Sequence, residues 1–186
     1  MKTVLLIIDV QREFFEEGRL KENKDKLVAN INKLADAAHN KNIPVIWIRQ
    51  KFKADLSDAP LYNRKHHKLS TIEGTPGAEF LPELHKNKND YEIVKKRYSS
   101  FFNTNLEELL KKLKVDTVII AGINTMTCVR VTAIDAYQRD YEVILALDCV
   151  DAYDLEQHEN SVKYLQYAVA KGMKNAKIIE VIKSIL

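Results

Sequence analysis

The group best suited to chemistry in this chain of 186 residues is the thiol of Cys128. An apolar run over residues 116–121 precedes it and is typical of a buried strand, and a helix is predicted to begin near Met126. A thiol at such a junction meets the positive end of the helix dipole and the unpaired N–H groups of the first helical turn. Both interactions favour the thiolate, so the position indicates a nucleophilic cysteine.

Asp9 and Lys95 place a carboxylate and an ammonium group at the ends of two other predicted strands, residues 3–8 and 92–95. A carboxylate near the thiol could take its proton and later return it to a leaving amine. Because side chains alternate along a strand, either Lys95 or Lys96 should face inward, and a buried ammonium needs an anionic partner. Taken alone, Asp9 also suits a turn or cap, and Lys95 also suits a solvated surface.

The remaining cysteine and the paired histidines are less favourable for chemistry. Cys149 also follows a strand, but it lies between Asp148 and Asp151, whose charges disfavour a thiolate, so we interpret it as a packing residue. His66 and His67 are neighbours in a polar loop and would point apart in an extended chain, which favours solvated side chains over a shared metal.

Strand and helix patterns alternate along the chain. The predicted strands are residues 3–8, 45–48, 92–95, 116–121, 142–147 and 176–181. Two predicted helices are residues 22–41 and 126–140. A third begins at a capping box formed by Thr104 and Glu107 and ends near Lys114, and a fourth is capped by Asp154 and Gln157 and ends near Lys171. Residues 183–186 are predicted to form a tail. Alternation favours an α/β sandwich with a mostly parallel sheet. Ligands then bind outside the carboxyl ends of the strands, so Asp9, Lys95 and Cys128 should meet at one rim.

Composition excludes several classes of protein. Apolar residues make up 46% and charged residues 30% of the chain, which describes a soluble globular domain, and no linker divides residues 1–186 into two domains. The net charge of +3 comes from lysines spread along the chain, so we predict no nucleic-acid partner. No apolar run approaches the ~20 residues that span a membrane, and because the sequence enters a predicted strand at once, we expect no signal peptide. Two cysteines form no disulfide framework, so we expect a cytoplasmic protein.

Common cofactor and hydrolase motifs do not occur. The chain lacks G-x-G-x-x-G, the P-loop, G-x-S-x-G, H-E-x-x-H and C-x-x-C, and we predict neither a cofactor nor a metal. Residues 50–90 are polar and lack a periodic pattern. Excursions of that length in a compact domain are usually functional, so we expect this one to influence substrate specificity.

Four segments, in order along the chain, resemble one family. They are residues 6–15, which contain D-x-Q-x-x-F from Asp9 to Phe14; residues 74–80; residues 94–101, which contain K-x-R-Y-S-x-F from Lys95 to Phe101; and residues 122–129, followed by residues 132–137. The chain is similar here to the isochorismatase-like cysteine hydrolases, which include nicotinamidases, N-carbamoylsarcosine amidases and ureido or biuret hydrolases.

The resemblance implies a catalytic set of Asp9, Lys95 and Cys128. It also implies a cis peptide bond between Ile123 and Asn124, which would turn a backbone N–H toward the substrate oxygen and form an oxyanion hole with the N–H of Cys128. The implied fold is a three-layer sandwich, a six-stranded parallel sheet with helices on both faces. The implied assembly is a homo-oligomer, a dimer or tetramer, that acts on a small molecule.

The substrate pocket and the reaction are predicted less directly. We expect Gln11, Phe14, Trp47 and Phe101 to line the pocket, although aromatic packing in the core explains the last three equally well. Family nicotinamidases hold a metal through Asp-x-His and a later His, and residues 50–57 lack this pair.

Three hypotheses about the reaction remain open. The first is a cysteine hydrolase that cleaves a C–N bond of a small amide or ureido compound through a thioester. The second is an isochorismatase-type hydrolase of a vinyl ether, which needs Asp9 but not the thiol. The third is a non-catalytic or redox-sensing member of the fold.

Overall fold

A computed structural model describes residues 2–184 of the chain, and in these residues six strands form a parallel sheet. The strands are β1 (Thr3–Ile8), β2 (Val45–Gln50), β3 (Tyr91–Lys95), β4 (Thr117–Ile123), β5 (Glu142–Asp151) and β6 (Lys171–Met173). Their order across the sheet is β3-β2-β1-β4-β5-β6. Since β1 lies between β2 and β4, the direction of winding reverses at its carboxyl end, where α/β sheets usually bind ligands.

Helices cover both faces of this sheet, as predicted. They are α1 (Gly18–His39), α2 (Leu61–Lys65), α3 (Leu106–Leu113), α4 (Cys128–Tyr137), α5 (Leu155–Ala168) and α6 (Asn175–Ser184), with short 3-10 helices at Arg12–Phe15 and Pro76–Ala78. The two faces bury separate apolar cores. Leu5 and Ile7 of β1 pack on the side of α1 and α6. Leu6 and Ile8 pack on the side of α3, α4 and α5, because successive side chains of a strand point to opposite faces.

The predicted last strand is wrong. Residues 176–181 lie in α6, and the sixth strand is the three-residue β6. Ile178 and Ile182 are spaced four residues apart and are both buried against the core that contains α1, which is the spacing of a helix face. Of the predicted tail at residues 183–186, Lys183 and Ser184 belong to α6, and residues 185–186 lie outside the described part of the chain.

Helix ends depart from the prediction in smaller ways. The helix expected from residue 22 begins at Gly18, and the helix expected near residue 126 begins at Cys128. The capping box at Thr104 does not form: α3 has Asn105 as its N-cap, and the carboxylate of Glu107 bonds to Arg139 instead. The cap at Asp154 is confirmed, since its carboxylate accepts a hydrogen bond from the N–H of Gln157 at 2.8 Å. In residues 2–184 no helix combines the length and the apolar character that crossing a membrane requires.

Gly122 allows β1 and β4 to approach closely beside the site. It pairs with Ile8 and has a positive φ of 105°, in the left-handed half of the Ramachandran map. A Cβ atom at this position would collide with the backbone N, C and O atoms of Ile8. Only glycine therefore fits where β4 turns toward α4.

Candidate active site

The side chains of Asp9, Lys95 and Cys128 meet at the carboxyl ends of β1, β3 and β4. The Nζ atom of Lys95 lies 2.8 Å from Oδ2 of Asp9 and 3.3 Å from Sγ of Cys128. Lys95 is 0%, Asp9 1% and Cys128 3% exposed. Two of these residues end a strand or follow it directly, and Cys128 is the first residue of α4. The predicted convergence is therefore present in the structure.

Gln50 is a fourth member of this cluster, and the sequence analysis missed it. Its side-chain amide donates to Oδ2 of Asp9 at 3.0 Å and points at Sγ of Cys128 at 3.6 Å. Gln50 is the last residue of β2 and pairs with Lys95 in β3. The predicted second strand ended at residue 48 and Gln50 was assigned to the excursion that follows, so the extension of β2 that brings Gln50 to this rim was missed.

Burial controls the protonation of the cluster. It raises the pKa of the Cys128 thiol to about 12; Lys95 opposes this change and the Asp9 carboxylate adds to it. Burial also lowers the pKa of Lys95, but the charges of Asp9 and Cys128 outweigh it, and the pKa of Lys95 is raised above 10.5. The thiolate expected from the helix dipole is thus not the resting form, because loss of hydration outweighs the partial charge of the first turn. If this neutral thiol is to attack a substrate, the neighbouring carboxylate of Asp9 is placed to take its proton.

Asp9 has one free carboxylate oxygen. Oδ2 accepts hydrogen bonds from Lys95 and Gln50, whereas the buried Oδ1 has no hydrogen-bond partner in the part of the chain that the structure describes. An unpaired buried acceptor is unusual and is often part of a functional site. Here it leaves one oxygen fixed and the other available for a proton.

The turn between β4 and α4 offers two unpaired backbone donors. Within residues 2–184, the N–H groups of Asn124 and Cys128 have no acceptor, and both residues line the cavity. The neighbouring N–H groups are all used: Thr125 donates to the carbonyl of Asp151, Met126 to the side chain of Asn124, and Thr127 and Val129 to the carbonyl of Asn124. The peptide bond between Ile123 and Asn124 is cis, as the resemblance implied. Two free N–H groups beside a thiol suit an oxyanion hole.

A polar network behind this turn fixes its position. Thr125 bonds through its N–H to the carbonyl of Asp151 at 3.0 Å and through its hydroxyl to Nδ1 of His158 at 3.0 Å. The carboxylate of Asp151 is in turn held by Arg19 at 2.8 Å and by Asn23 at 2.9 Å. The position of the turn therefore depends on β5, α5 and α1 together.

Asp9, Gln50 and Cys128 line a cavity of about 280 Å³, and Lys95 lies buried behind them. Phe14 lines it as predicted. The other lining residues include Tyr62, Asn63, Lys68, Ser70, Tyr98, Met126, Thr127 and Tyr153. Four of these, from Tyr62 to Ser70, belong to the excursion at residues 50–90, so this segment forms one wall of the cavity.

Gln11, Trp47 and Phe101 do not line the cavity, which corrects the predicted pocket. Gln11 is fully buried, and its side chain hydrogen-bonds to the backbone of Gln50 and of Ala78. It therefore links the end of β2 to the short 3-10 helix that contains Ala78. Trp47 faces the core that contains α1 and donates its indole N–H to Asp90 at 2.8 Å. Phe101 packs in the opposite core and stacks on Tyr141. Both aromatic side chains therefore serve packing in the cores.

No group of three or more His, Cys, Asp or Glu side chains in residues 2–184 is arranged to hold a metal ion. His66 and His67 are exposed, and the ring of His66 lies against Tyr62. Between Asp9 and Cys128, the position suited to a cation is taken by the ammonium group of Lys95.

Comparison with known proteins identifies close structural relatives. The family model for the isochorismatase domain matches residues 3–177. A probable inactive nicotinamidase of Arabidopsis thaliana is 35% identical over 168 residues, which are 86% of each chain. The ureidoacrylate amidohydrolase RutB of Acinetobacter baylyi is 30% identical over 187 residues, covering 87% of this chain and 76% of RutB.

Solved structures match over almost the whole chain. A cysteine hydrolase from Pseudomonas syringae pv. phaseolicola superposes with a TM-score of 0.91 at 26% identity, covering 98% of this chain and 93% of the other. N-carbamoylsarcosine amidase from Thermoplasma acidophilum superposes with a TM-score of 0.82 at 26% identity, covering 94% and 97%.

Proposed function

Because the chain belongs to the isochorismatase family and is one of its hydrolases, we propose that it cleaves a C–N bond of a small amide or ureido compound through a thioester on Cys128. The observation that carries this proposal is the contact of the buried Lys95 ammonium with both Asp9 and Cys128, two residues that line the cavity. The match to a cysteine hydrolase and to an amidase supports the same chemistry.

In the first half of the reaction, Asp9 takes the proton of Cys128 as Sγ forms a bond to the carbonyl carbon. The carbonyl oxygen becomes negative and accepts hydrogen bonds from the N–H groups of Asn124 and Cys128. The C–N bond then breaks, and the amine or ammonia leaves with the proton that Asp9 had taken. Cys128 is left as a thioester.

In the second half, Asp9 takes a proton from water as the water oxygen attacks the thioester carbonyl. The C–S bond breaks, the acid leaves, and Asp9 returns the proton to Sγ. Lys95 keeps Asp9 ionised between these steps and, together with Gln50, orients its carboxylate. Lys95 and Gln50 act on the proton-transfer group and need not contact the substrate.

A substrate panel with the variant Cys128→Ala tests the proposal. The panel contains nicotinamide, ureido acids, biuret, maleamate and isochorismate, with ammonia release and loss of isochorismate as readouts. We expect release of ammonia from at least one amide or ureide by the wild type, none by Cys128→Ala, and normal activity of the control Cys149→Ala. An acyl adduct on Cys128, seen by intact-protein mass spectrometry, would support the thioester directly.

Other outcomes separate the alternatives. Amide hydrolysis that survives Cys128→Ala rules out the covalent route. Isochorismate cleavage that survives this substitution indicates the vinyl ether reaction with Asp9 as acid. One relative carries the name of a probable inactive nicotinamidase, so absence of turnover on the whole panel would favour a non-catalytic role.

We also propose that residues 1–186 form a single domain, that the protein is a homo-oligomer, and that it is located in the cytoplasm. Light scattering on the purified protein measures the mass, and a monomer would contradict the oligomer.

A further inference from the structure

The turn at residues 124–127 contains no fully buried apolar side chain, so hydrogen bonds hold it in place. Its one apolar residue, Met126, is half-buried and lines the cavity. Thr125 is 0% exposed and lies between Asn124 and Cys128, whose N–H groups have no acceptor in residues 2–184. The contacts of Thr125 therefore help to set where both of these donors point.

Two hydrogen bonds fix Thr125. Its N–H donates to the carbonyl of Asp151 at 3.0 Å, and its hydroxyl bonds to Nδ1 of His158 at 3.0 Å. Within the described residues, His158 is the one hydrogen-bond partner of this hydroxyl. Because Thr125 is completely buried, loss of the imidazole would leave its hydroxyl without a partner, which costs more than the loss of an exposed hydrogen bond.

His158 is a neutral partner of Thr125 and not the charged half of an ion pair. Burial lowers the pKa of His158 below its ordinary value of 6.5, although the Asp151 carboxylate opposes this change, so the ring is uncharged at neutral pH. Oδ1 of Asp151 lies 4.0 Å from Nδ1, beyond hydrogen-bond distance, and already accepts from Arg19 at 2.8 Å and from the N–H of Ala152 at 2.9 Å. A neutral imidazole bonds to a hydroxyl in either tautomer.

His158 contacts the turn from outside the cavity beside Cys128. It is not among the residues that line this cavity, and it lines a separate cavity of about 300 Å³ instead. Its N–H donates to the carbonyl of Asp154, the N-cap of α5, at 3.0 Å, so the ring extends from the first turn of a helix. Substitution of His158 therefore removes a support of the turn without removing a contact to the substrate.

We propose that His158 is a positioning residue of the oxyanion hole: through the hydroxyl of Thr125, it holds the turn that carries the N–H groups of Asn124 and Cys128. The inference rests on the proposed amidase function and adds to it a residue that does not touch the substrate. The carbonyl oxygen gains its negative charge only during the reaction. Misplaced donors therefore weaken binding of the transition state more than binding of the substrate, so kcat should fall while KM changes little.

A double-variant cycle tests the contact. His158→Leu removes the ring nitrogen with a side chain of similar size, and Thr125→Val removes the hydroxyl. We expect each to lower kcat by about tenfold or more on any amide that the wild type hydrolyses, with KM within about threefold. Because both substitutions break the same hydrogen bond, the double variant should lose about as much as the larger single loss. Losses that multiply would overturn the inference.

His158→Asn tests whether a hydrogen bond alone restores turnover. The amide atoms of asparagine are bonded to Cγ, as Nδ1 of histidine is, so this side chain can keep the bond to Thr125, whereas glutamine carries its amide one atom further away. We expect His158→Asn to keep kcat within about threefold of the wild type and His158→Gln to resemble His158→Leu. Equal losses in His158→Asn and His158→Leu would assign the ring to packing and overturn the inference.

His39→Leu is the matched control for loss of a half-buried histidine. The side chains of His39 and His158 are both 17% exposed, and His39 bonds to Asp90 at 2.9 Å. His39 lies beside Val45 and Tyr91, the first residues of β2 and β3, at the amino ends of the strands and away from the site. We expect this variant to lose stability and keep kcat within about twofold. A fall in kcat as large as that of His158→Leu would contradict a specific role for His158.

Amide hydrogen exchange separates this inference from the proposed reaction. Mass spectrometry of peptides that cover residues 123–129 reports the bonded N–H groups of the turn without any substrate. We expect exchange about tenfold faster in His158→Leu, and near the wild-type rate in His158→Asn and His39→Leu. If exchange accelerates and the wild type hydrolyses no compound of the panel, the support of the turn by His158 stands and the proposed reaction fails alone. Unchanged exchange in His158→Leu, or unchanged kcat despite faster exchange, overturns the inference.

Discussion

The ammonium group of Lys95 lies 2.8 Å from the carboxylate of Asp9, and both side chains are almost completely removed from water. Ions buried in this way lose most of their hydration, so each depends on the other to remain charged. The same ammonium group also contacts Cys128. One buried ion pair therefore sets the charge of the proposed base, Asp9, and influences the pKa of the proposed nucleophile, Cys128.

Removal of one member of this pair should destabilise the fold strongly. Lys95→Met leaves the Asp9 carboxylate buried with Gln50 as its remaining donor, and we expect a loss of about 3–5 kcal/mol in the free energy of unfolding. The double variant Asp9→Asn with Lys95→Met should recover much of this loss, because no buried charge remains. Urea titration of the wild type, both single variants and the double variant gives the coupling energy. Additive losses would contradict the prediction.

Asp9→Asn should separate thiol ionisation from turnover. The Asp9 charge contributes to the high pKa of Cys128, whereas Lys95 opposes it, so neutralising Asp9 leaves the lysine charge unbalanced and lowers this pKa. More thiolate is then present at neutral pH. We expect iodoacetamide to alkylate Cys128 faster at pH 7.5 in Asp9→Asn than in the wild type, while hydrolysis is abolished because the base is missing.

Both proteins in this comparison carry Cys149→Ala, so that Cys128 is the one thiol in the chain. Slower alkylation in Asp9→Asn would indicate that the carboxylate already holds the thiol ionised, contrary to the protonated resting form.

Gly122→Ala should prevent stable folding or reduce it severely. The added methyl group would collide with the backbone of Ile8, and the positive φ of 105° adds strain for any L side chain. We expect a loss of more than about 4 kcal/mol, measured as a lower midpoint of thermal or urea unfolding.

Gly18→Ala is the matched control for steric contact. Gly18 also has a positive φ, of 60°, but nothing lies within 4 Å of the added Cβ. We expect Gly18→Ala to lose only ~1–2 kcal/mol in the free energy of unfolding, the cost of placing an L residue in the left-handed backbone conformation. Equal losses in the two alanine variants would mean that strand approach at Gly122 does not matter.

Alkaline pH should weaken the fold through its buried thiols. Burial raises the pKa of Cys149 as well as that of Cys128 to about 12, from an ordinary value of 9.0. Above pH 9 the unfolded chain releases these protons while the folded chain retains them, so stability is full below pH 9 and decreases as pH rises toward 12. Each thiol contributes about 1 kcal/mol per pH unit near pH 10.

Cys149→Ala removes one of these two contributions. Urea titrations at pH 8 and pH 10 should therefore show a smaller decrease in this variant than in the wild type. The same decrease in both proteins would contradict a raised pKa for Cys149.

The sequence predicted the fold class and the meeting of Asp9, Lys95 and Cys128 because each of these depends on local signals. Apolar runs mark the strands, and Asp9, Lys95 and Cys128 lie where those runs end. Parallel topology then brings distant strand ends to one rim. The cis bond at Ile123–Asn124 and the order of the motifs came from family resemblance, since no propensity rule predicts them.

The remaining departures depend on tertiary contacts that the sequence does not encode locally. Gln50 reaches the site because of the register of β2 between β1 and β3. Trp47 and Phe101, in contrast, pack in the two apolar cores. The helical assignment of residues 176–181 depends on α1, whose apolar surface buries Ile178 and Ile182. The pattern of residue types along the chain does not show which side chains these tertiary contacts will bury.

The helix α2 has no buried residue, although it belongs to the wall that carries Lys68. Asp9 and Lys95, by contrast, are buried at strand ends and cannot change without loss of stability. Under the proposed function, selection can therefore change substrate preference through residues 60–70 without disturbing this buried pair or the folding of the polypeptide.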